Sequence, residues 1–438
     1  MEKSELFGRL VPGPLPAGLS GDPHVQQLPV IRRWGPLVWC LRCGQVTWWR
    51  GQLPRHHAYC PQCIQLGRVS TLASLYTIPE PNKFRPGGGQ CTWRGRLSPA
   101  QASLAAKIKQ AVERRQRVLV WAVTGAGKTE MLFPGLAAGL TAGWRVGIVT
   151  PRIDVCRELF PRLRAAFPAV TAILLTGDEP GPYRYTQLVV ATTHQLLRFY
   201  RAFDLLVIDE VDAFPFITDK GLHYAAARAI KKNAAILLLT ATPSARLLRI
   251  VRRHHFQVGV LPARYHGHPL PEPHLVRLGR WERLIYRRML PTKIQATLAE
   301  WRGHFPVLIF VPRIRWLKPV LRAIQRQFPT WRGTSVYAAD PRRQEKVTAM
   351  RKRQVQYLVT TTILERGVTF PGVQVVILGA DDPVFTVAAL VQIAGRVGRS
   401  PTAPTGTVLF GCARITPVVR AARRQICTLN RTARRMAR

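Results

Sequence analysis

From about Leu97 onward, the chain alternates helix-spaced apolar positions with short runs rich in β-branched residues. The runs Val118–Val123, Arg145–Thr150, Gln187–Ala191, Leu205–Ile208 and Ile236–Thr240 read as strands, with helical stretches between them. That alternation predicts a parallel α/β sheet. A second block repeats the pattern at Val307–Val311, Thr334–Tyr337, Tyr357–Thr360, Val373–Leu378 and Gly406–Phe410. Between the blocks, His254–Pro273 is rich in prolines and histidines and reads as linker. No internal period indicates a solenoid. The fold class expected is α/β, with two lobes preceded by a small module.

The divisions expected are a flexible leader over 1–35, where Pro12, Pro14, Pro16, Pro23 and Pro29 break any regular pattern, and a cysteine module over 36–78. A linker follows over 79–96, containing Pro86 and Gly87 to Gly89. The first lobe is placed at 97–250, a linker at 251–285, the second lobe at 286–412 and a basic segment at 413–438.

The first strand of the first lobe leads into Thr124-Gly125-Ala126-Gly127-Lys128-Thr129 and then a helical stretch. Glycines let backbone N–H groups curl around phosphates, and the start of a helix adds positive dipole. Lys128 would reach the β/γ-phosphates of a nucleotide and the Thr129 hydroxyl would hold Mg²⁺. Leu205–Ile208 then places Asp209 and Glu210 at a strand end, where one carboxylate can hold Mg²⁺ and the next can activate an attacking water. A merely solvated strand end does not explain why both acids sit at the edge where α/β sites form.

Cys40 and Cys43 form one CxxC pair, and Cys60 and Cys63 form another at a spacing suited to a four-cysteine Zn²⁺ site. Four protein ligands leave no open position, so the role expected is structural. His56 or His57 could replace one cysteine, and a disulfide pair is the other alternative. Cys91, Cys156, Cys412 and Cys427 have no paired spacing. Trp34, Trp39, Trp48, Trp49 and Tyr59 crowd the same segment, interleaved with Arg32, Arg33, Arg42, Arg50 and Arg55. These aromatics either stack on bases or fill the core of a small metal module.

Charge changes the picture most. The 438 residues are 47% hydrophobic and 20% charged, which suits a globular chain, yet 65 Lys and Arg against 23 Asp and Glu leave a formal net charge of +42. A chain that positive needs a polyanion nearby, with a nucleic acid first and an anionic membrane surface second. A small acidic metabolite would not need that excess. Arg414 to Arg438 contains eight arginines and no acid. Helical spacing would put many on one face, to meet DNA, to meet lipid headgroups, or to remain a solvated tail. No apolar run approaches the ~18–20 residues of a membrane span, and the start lacks a secretory h-region, so the chain reads as cytosolic.

Several blocks together resemble superfamily 2 helicases in residue type and order. Val123 to Glu130 resembles motif I, Thr150-Pro151-Arg152 motif Ia, Ala191 to His194 Ib, Asp209 to Asp212 II, and Thr240-Ala-Thr242 III. Phe310-Val-Pro312 resembles IV, Thr360 to Gly367 V, and Gln392 to Arg399 VI. Within that group the chain resembles ComFA-type late competence helicases in three features. These are the four cysteines ahead of the core, Asp209-Glu-Val-Asp-Ala-Phe-Pro215, and Glu365 to Pro371. The primosomal helicases share motif I but are longer and carry their cysteines later. The DEVD of motif II and Thr369 depart from the wider superfamily and bear on strand separation rather than on ATP hydrolysis.

The resemblance implies two RecA-like P-loop lobes that close on ATP and open after hydrolysis, moving along single-stranded DNA. It implies that Gln101 reads adenine and that Gly125, Gly127, Lys128, Thr129 and Asp209 hold ATP and Mg²⁺. Glu210 and Gln392 would position or activate water, with Arg396 and Arg399 as arginine fingers. Pro151, Arg152, Thr192, Thr193 and Thr361 would line the DNA path. The partners implied are single-stranded DNA, the membrane uptake channel and other competence proteins, at the inner face of the membrane, and the pattern is compatible with an oligomer. Rival readings are a replication-restart helicase of the primosomal kind, an ATP-switched zinc-ribbon binding protein, and RNA as the polymer.

Overall fold

The computed structural model describes residues 1–48, 53, 57–67, 69–177, 181–365 and 370–436. The chain divides into two compact units, one of 1–121 with 129–260, the other of 122–128 with 261–438.

In the first unit, six short strands among the described residues precede the α/β region: β1 (Val11–Pro12), β2 (Gln26–Pro29), β3 (Ile31–Trp34), β4 (Leu37–Cys40), β5 (Val46–Trp48) and β6 (Ser74–Thr77). They pair antiparallel as β1-β6-β2 and β3-β4-β5. The prolines of 1–35 predict a flexible leader, and here the structure differs. Leu6, Phe7 and Leu19 are buried together with Ile78. Pro12 and Pro29 lie on edge strands, where the missing N–H leaves no ladder bond unmade.

The first large sheet contains β7 (Arg117–Ala122), β8 (Val146–Thr150), β9 (Ala172–Leu175), β10 (Leu188–Thr192), β11 (Phe203–Ile208), β12 (Ile230–Thr240) and β13 (Gln257–Leu261). Their order is β13-β7-β12-β11-β8-β10-β9, and the pairs from β7 through β9 are parallel. Helices cover both faces of such a sheet, so β8, β10 and β11 are buried along their length. Burying each Leu, Val or Ile of β11 contributes about 1.5–3 kcal/mol.

In the second unit, β14 (His274–Arg277), β15 (Val307–Phe310), β16 (Gly333–Val336), β17 (Tyr357–Thr360), β18 (Gln374–Leu378) and β19 (Val408–Cys412) form a sheet in the order β14-β19-β18-β15-β17-β16. Every pair in it is parallel. Trp281, Trp301, Trp316 and Trp331 fill its core.

The expected linker over 251–285 is instead structured. It holds β13, β14, the end of the helix Ala245–Arg253 and the helix Trp281–Tyr286. The side chains of β13 are mostly exposed and Gly259 interrupts it, so its pattern lacks the buried apolar run of a central strand. The basic C-terminus is a helix, Pro417–Met436, rather than a solvated tail. Its Val419, Ala422, Ile426 and Leu429 are buried, and it packs against the helix Val387–Ala394. Arg420, Arg423, Arg424, Arg431, Arg434 and Arg435 are exposed. Among the described residues, no helix is long and apolar enough to cross a membrane.

Candidate nucleotide and nucleic-acid site

The carboxyl ends of β7, β8, β10, β11 and β12 all lie on one edge of the first sheet, because these strands are parallel. That edge is where α/β proteins bind ligands. After β7 the chain turns through Gly125 and Gly127, at φ +82° and +70°. In this left-handed region a side chain would be strained, and glycine leaves the loop's N–H groups free to face an anion. Lys128 and Thr129 open the helix Lys128–Thr141 and are half-buried.

Asp209 and Glu210 follow β11. The Glu210 backbone N–H donates to Asp209 Oδ1 at 2.8 Å. Glu210 itself sits at φ +53°, a conformation costing roughly 1–3 kcal/mol for a non-glycine residue and typical of functional sites. Arg152, after β8, brings Nε to 3.8 Å from Glu210 Oε2. Because β11 and β12 are neighbours, the ends of the two strands meet, and Thr242 Oγ1 donates to the buried Asp212 Oδ2 at 2.5 Å. Motifs II and III are thereby tied together. Pro151 follows β8, Thr192 ends β10, and both line a cavity of about 860 Å³. Thr193 is fully buried, its hydroxyl without a hydrogen-bond partner among the described residues. Gln101 is buried in a capping box: its side-chain oxygen accepts from Ser98 N at 2.8 Å at the start of the helix Pro99–Glu113. The Ser98-Pro-Ala-Gln101 spacing is a helix-start signal in its own right.

In the second unit, Gln392 is buried on the helix Val387–Ala394, and its side-chain oxygen accepts from Thr124 Oγ1 at 2.9 Å; residues 122–128 belong to this unit. Arg396 is buried, with Nε donating to the Glu365 carbonyl at 2.8 Å, whereas Arg399 is half-buried. Thr361 follows β17, half-buried, and its carbonyl accepts from Thr360 Oγ1 at 3.2 Å. Arg366, Gly367 and Thr369 lie outside the described residues.

Sequence reading missed Arg264. It is 2% exposed and donates to three carbonyls: Gly398 at 2.6 Å, Val397 at 2.8 Å and Gly395 at 3.2 Å. These are the carbonyls of the turn that carries Arg396 and Arg399. Burial, with Arg399 nearby, lowers the Arg264 pKa to about 10. The signal was a lone arginine just after the run Val258–Leu261, hidden inside a stretch read as linker.

The four cysteines converge. Cys40 and Cys43 flank the turn after β4, and Cys60 and Cys63 lie at the start of the 3-10 turn Pro61–Leu66. Gly44, at φ +72°, completes the first turn, and a Cβ there would lie 2.5 Å from the Tyr224 ring. All four sulfurs lie within 4.8 Å of one another, with Cys40–Cys63 at 3.9 Å and Cys43–Cys60 at 3.5 Å. Tetrahedral Zn–S bonds of about 2.3 Å require sulfurs about 3.8 Å apart, so this donor set fits zinc. Hydrogen bonding to the other three thiols, then burial, holds Cys63 well above the usual thiol range, while Cys40 is drawn below it. His57 bonds Thr71 Oγ1 at 3.0 Å and lies outside the cluster; His56 lies outside the described residues.

Buried arginines dock this module onto the α/β region. Arg42 donates to Leu66 O at 2.8 Å, Gly67 O at 3.0 Å and Leu197 O at 3.3 Å. Arg228 donates to Leu41 O and Leu197 O. The tryptophans are largely outside: Trp34 is 80% exposed and Trp48 66%, while Trp39 leans edge-on against Tyr224. Trp49, Arg50 and Arg55 lie outside the described residues.

Comparison with known proteins agrees with this geometry. The DEAD/DEAH box helicase family matches residues 98–250, and the helicase conserved C-terminal domain matches 292–401. The chain is similar in fold to the DEAD-box helicase Mss116 bound to single-stranded RNA and UDP-BeF, with TM-score 0.57 at 20% identity, covering 72% of this chain and 70% of that one. It is 41% identical to competence protein ComFA of Bacillus subtilis (strain 168) over 85% of this chain and 81% of that protein. It is 38% identical to competence protein ComFA of Streptococcus pneumoniae (strain ATCC BAA-255 / R6) over 93% of this chain and 94% of that protein. With two helicase sheets, a four-cysteine cluster ahead of them and identities of this order along most of both chains, the protein belongs to the ComFA family of competence proteins.

Proposed function

We propose that this chain is an ATP-driven translocase of single-stranded DNA that serves DNA uptake in competent bacteria. The observation that carries the reading is the gathering of motifs I, Ia, Ib, II and III on one edge of a parallel sheet in a ComFA-family chain. Gly125 and Gly127 shape the phosphate loop, Lys128 binds the β/γ-phosphates, and Gln101 reads adenine. Thr129 and Asp209 hold Mg²⁺, which when bound neutralises phosphate charge. Glu210 takes the proton of the attacking water, with Gln392 orienting the γ-phosphate or that water. Arg396 and Arg399 stabilise charge on the transferred phosphoryl group. Pro151, Arg152, Thr192 and Thr361 grip the strand through its phosphates and sugars, so binding is independent of sequence, while the fully buried Thr193 stands behind that path.

Cys40, Cys43, Cys60 and Cys63 hold structural zinc. The partners are single-stranded DNA, the uptake channel and other competence proteins at the inner face of the membrane. Steady-state ATPase assays with single-stranded DNA, duplex DNA and RNA test the reading. Single-stranded DNA is expected to stimulate turnover at least tenfold, and Lys128→Ala to abolish it. Nucleotide binding with no polymer-stimulated turnover would refute the motor.

A further inference from the structure

The cavity of about 860 Å³ that Pro151 and Thr192 line has a second wall from the cysteine module, through Cys43, Gln45 and Gln62. Arg9 and Arg198 also line it. Their backbones are adjacent, with Leu10 N donating to Arg198 O at 2.8 Å. The Arg9 guanidinium lies 3.7 Å over the Tyr183 ring and its Nη1 donates to the Glu5 carbonyl, yet its Nε has no hydrogen-bond partner among the described residues. The Arg198 Nε is likewise buried without one. No carboxylate among the described residues pairs with either arginine. Asp219, the one acid lining the cavity among the described residues, accepts at Oδ1 from the N–H groups of Gly221 and Leu222 at a helix start. Two partly desolvated cations whose backbones are adjacent, one of them over a ring and neither in an ion pair among the described residues, are costly on their own.

We propose that this cavity is an additional phosphate-binding segment of the nucleic-acid path, in which Arg9 and Arg198 take a backbone phosphate of a single strand running on from Pro151 and Thr192. The cysteine module is then one wall of the DNA groove. Its volume falls within the ~300–1,000 Å³ of ligand clefts. The mixture of arginine, tyrosine and glutamine suits a sugar-phosphate chain with stacked bases. The inference rests on the translocase reading for the identity of the strand, and on the cavity's own cations for its chemistry.

The experiment is salt-dependent binding of fluorescent oligo-dT, in a length series, to the full chain and to Arg9→Gln and Arg198→Gln. Each single-strand phosphate contact contributes about 0.7 to the slope of log K against log salt. Each substitution is therefore expected to lower that slope by about 0.7 on long oligomers, and by less on oligomers too short to pass beyond Pro151 and Thr192. Gln62, exposed on the opposite wall, supplies a variant that does not disturb the packing of Arg9. Gln62→Lys should raise the slope by about 0.7. Slopes unchanged in all three variants, with DNA-stimulated ATPase intact in the unsubstituted chain, would overturn this site and leave the motor standing. If the unsubstituted chain shows no DNA-stimulated turnover, the motor fails, and the slopes still decide whether the cavity binds phosphate. Unaltered oligo-dT binding with lost binding to anionic phospholipid vesicles would reassign the arginines to a membrane surface and overturn the proposal.

Discussion

At the scale of single residues, Arg264 shows how a buried cation can serve a site through the backbone it holds. Its fork donates to three carbonyls of the turn 395–398, just beyond the end of the helix Val387–Ala394. Hydrogen bonds from a charged donor contribute about 1.5–3 kcal/mol each when buried, and removing the donor strands the carbonyls. Arg264→Met is expected to destabilise the second unit by about that amount and to loosen the turn bearing Arg396 and Arg399. The distinguishing readout is kinetic: kcat should fall about tenfold or more, with a smaller change in KM for ATP. Arg264→Lys, with one amine in place of a fork, should recover part of the stability but little of kcat. Full turnover at a temperature where Arg264→Met remains folded would show that the arginine only supports the fold.

At the scale of elements, the cysteine module and the segment Thr193–Arg198 share one fastening. The Leu197 carbonyl accepts from both Arg42 and Arg228, and Arg42 also holds the turn after Cys63. If the four cysteines hold zinc as proposed, metal and docking are linked, and a chelator, or Cys43→Ser, should lower the midpoint of thermal unfolding. Amide hydrogen exchange should also quicken at 193–198, far along the sequence from the cysteines. Unchanged exchange there after zinc loss would separate the module from the α/β region.

The same elements show what was legible beforehand. The buried strands β8, β10, β11 and β17 stand out as apolar runs because helices cover both faces. Edge strands β9 and β13 do not, since half-exposed side chains carry no strong pattern. The paired cysteines and the phosphate loop are local in sequence and could be read directly. Arg9, Arg42, Arg198 and Arg264 could not. Nothing local distinguishes a buried arginine from the many surface ones in a chain of net charge +42, because the carbonyls and rings that hold them come from distant segments.

At the scale of the molecule, that charge demands an accounting. The helix Pro417–Met436 concentrates it. One side, Val419, Ala422, Ile426 and Leu429, is buried, while arginines 423, 424, 431, 434 and 435 face solvent. The buried side explains why the segment folds; of the arginines, Arg423 and Arg434 lie near the Glu272 carboxylate, and one such acid does not account for five cations. If they neutralise DNA, replacing all five with glutamine should change stability by no more than about 0.5 kcal/mol per substitution, since exposed substitutions away from special features rarely do more. The slope of log K against log salt for single-stranded DNA should then fall by about 0.7 for each arginine that meets a phosphate. Ile426→Asp is the opposite control: it buries a carboxylate and should unfold the helix, costing stability before affinity. An unchanged slope in the five-fold variant would remove this helix from the DNA path. Binding of that variant to anionic vesicles would then decide between a membrane role, which predicts a loss, and arginines that serve solubility alone.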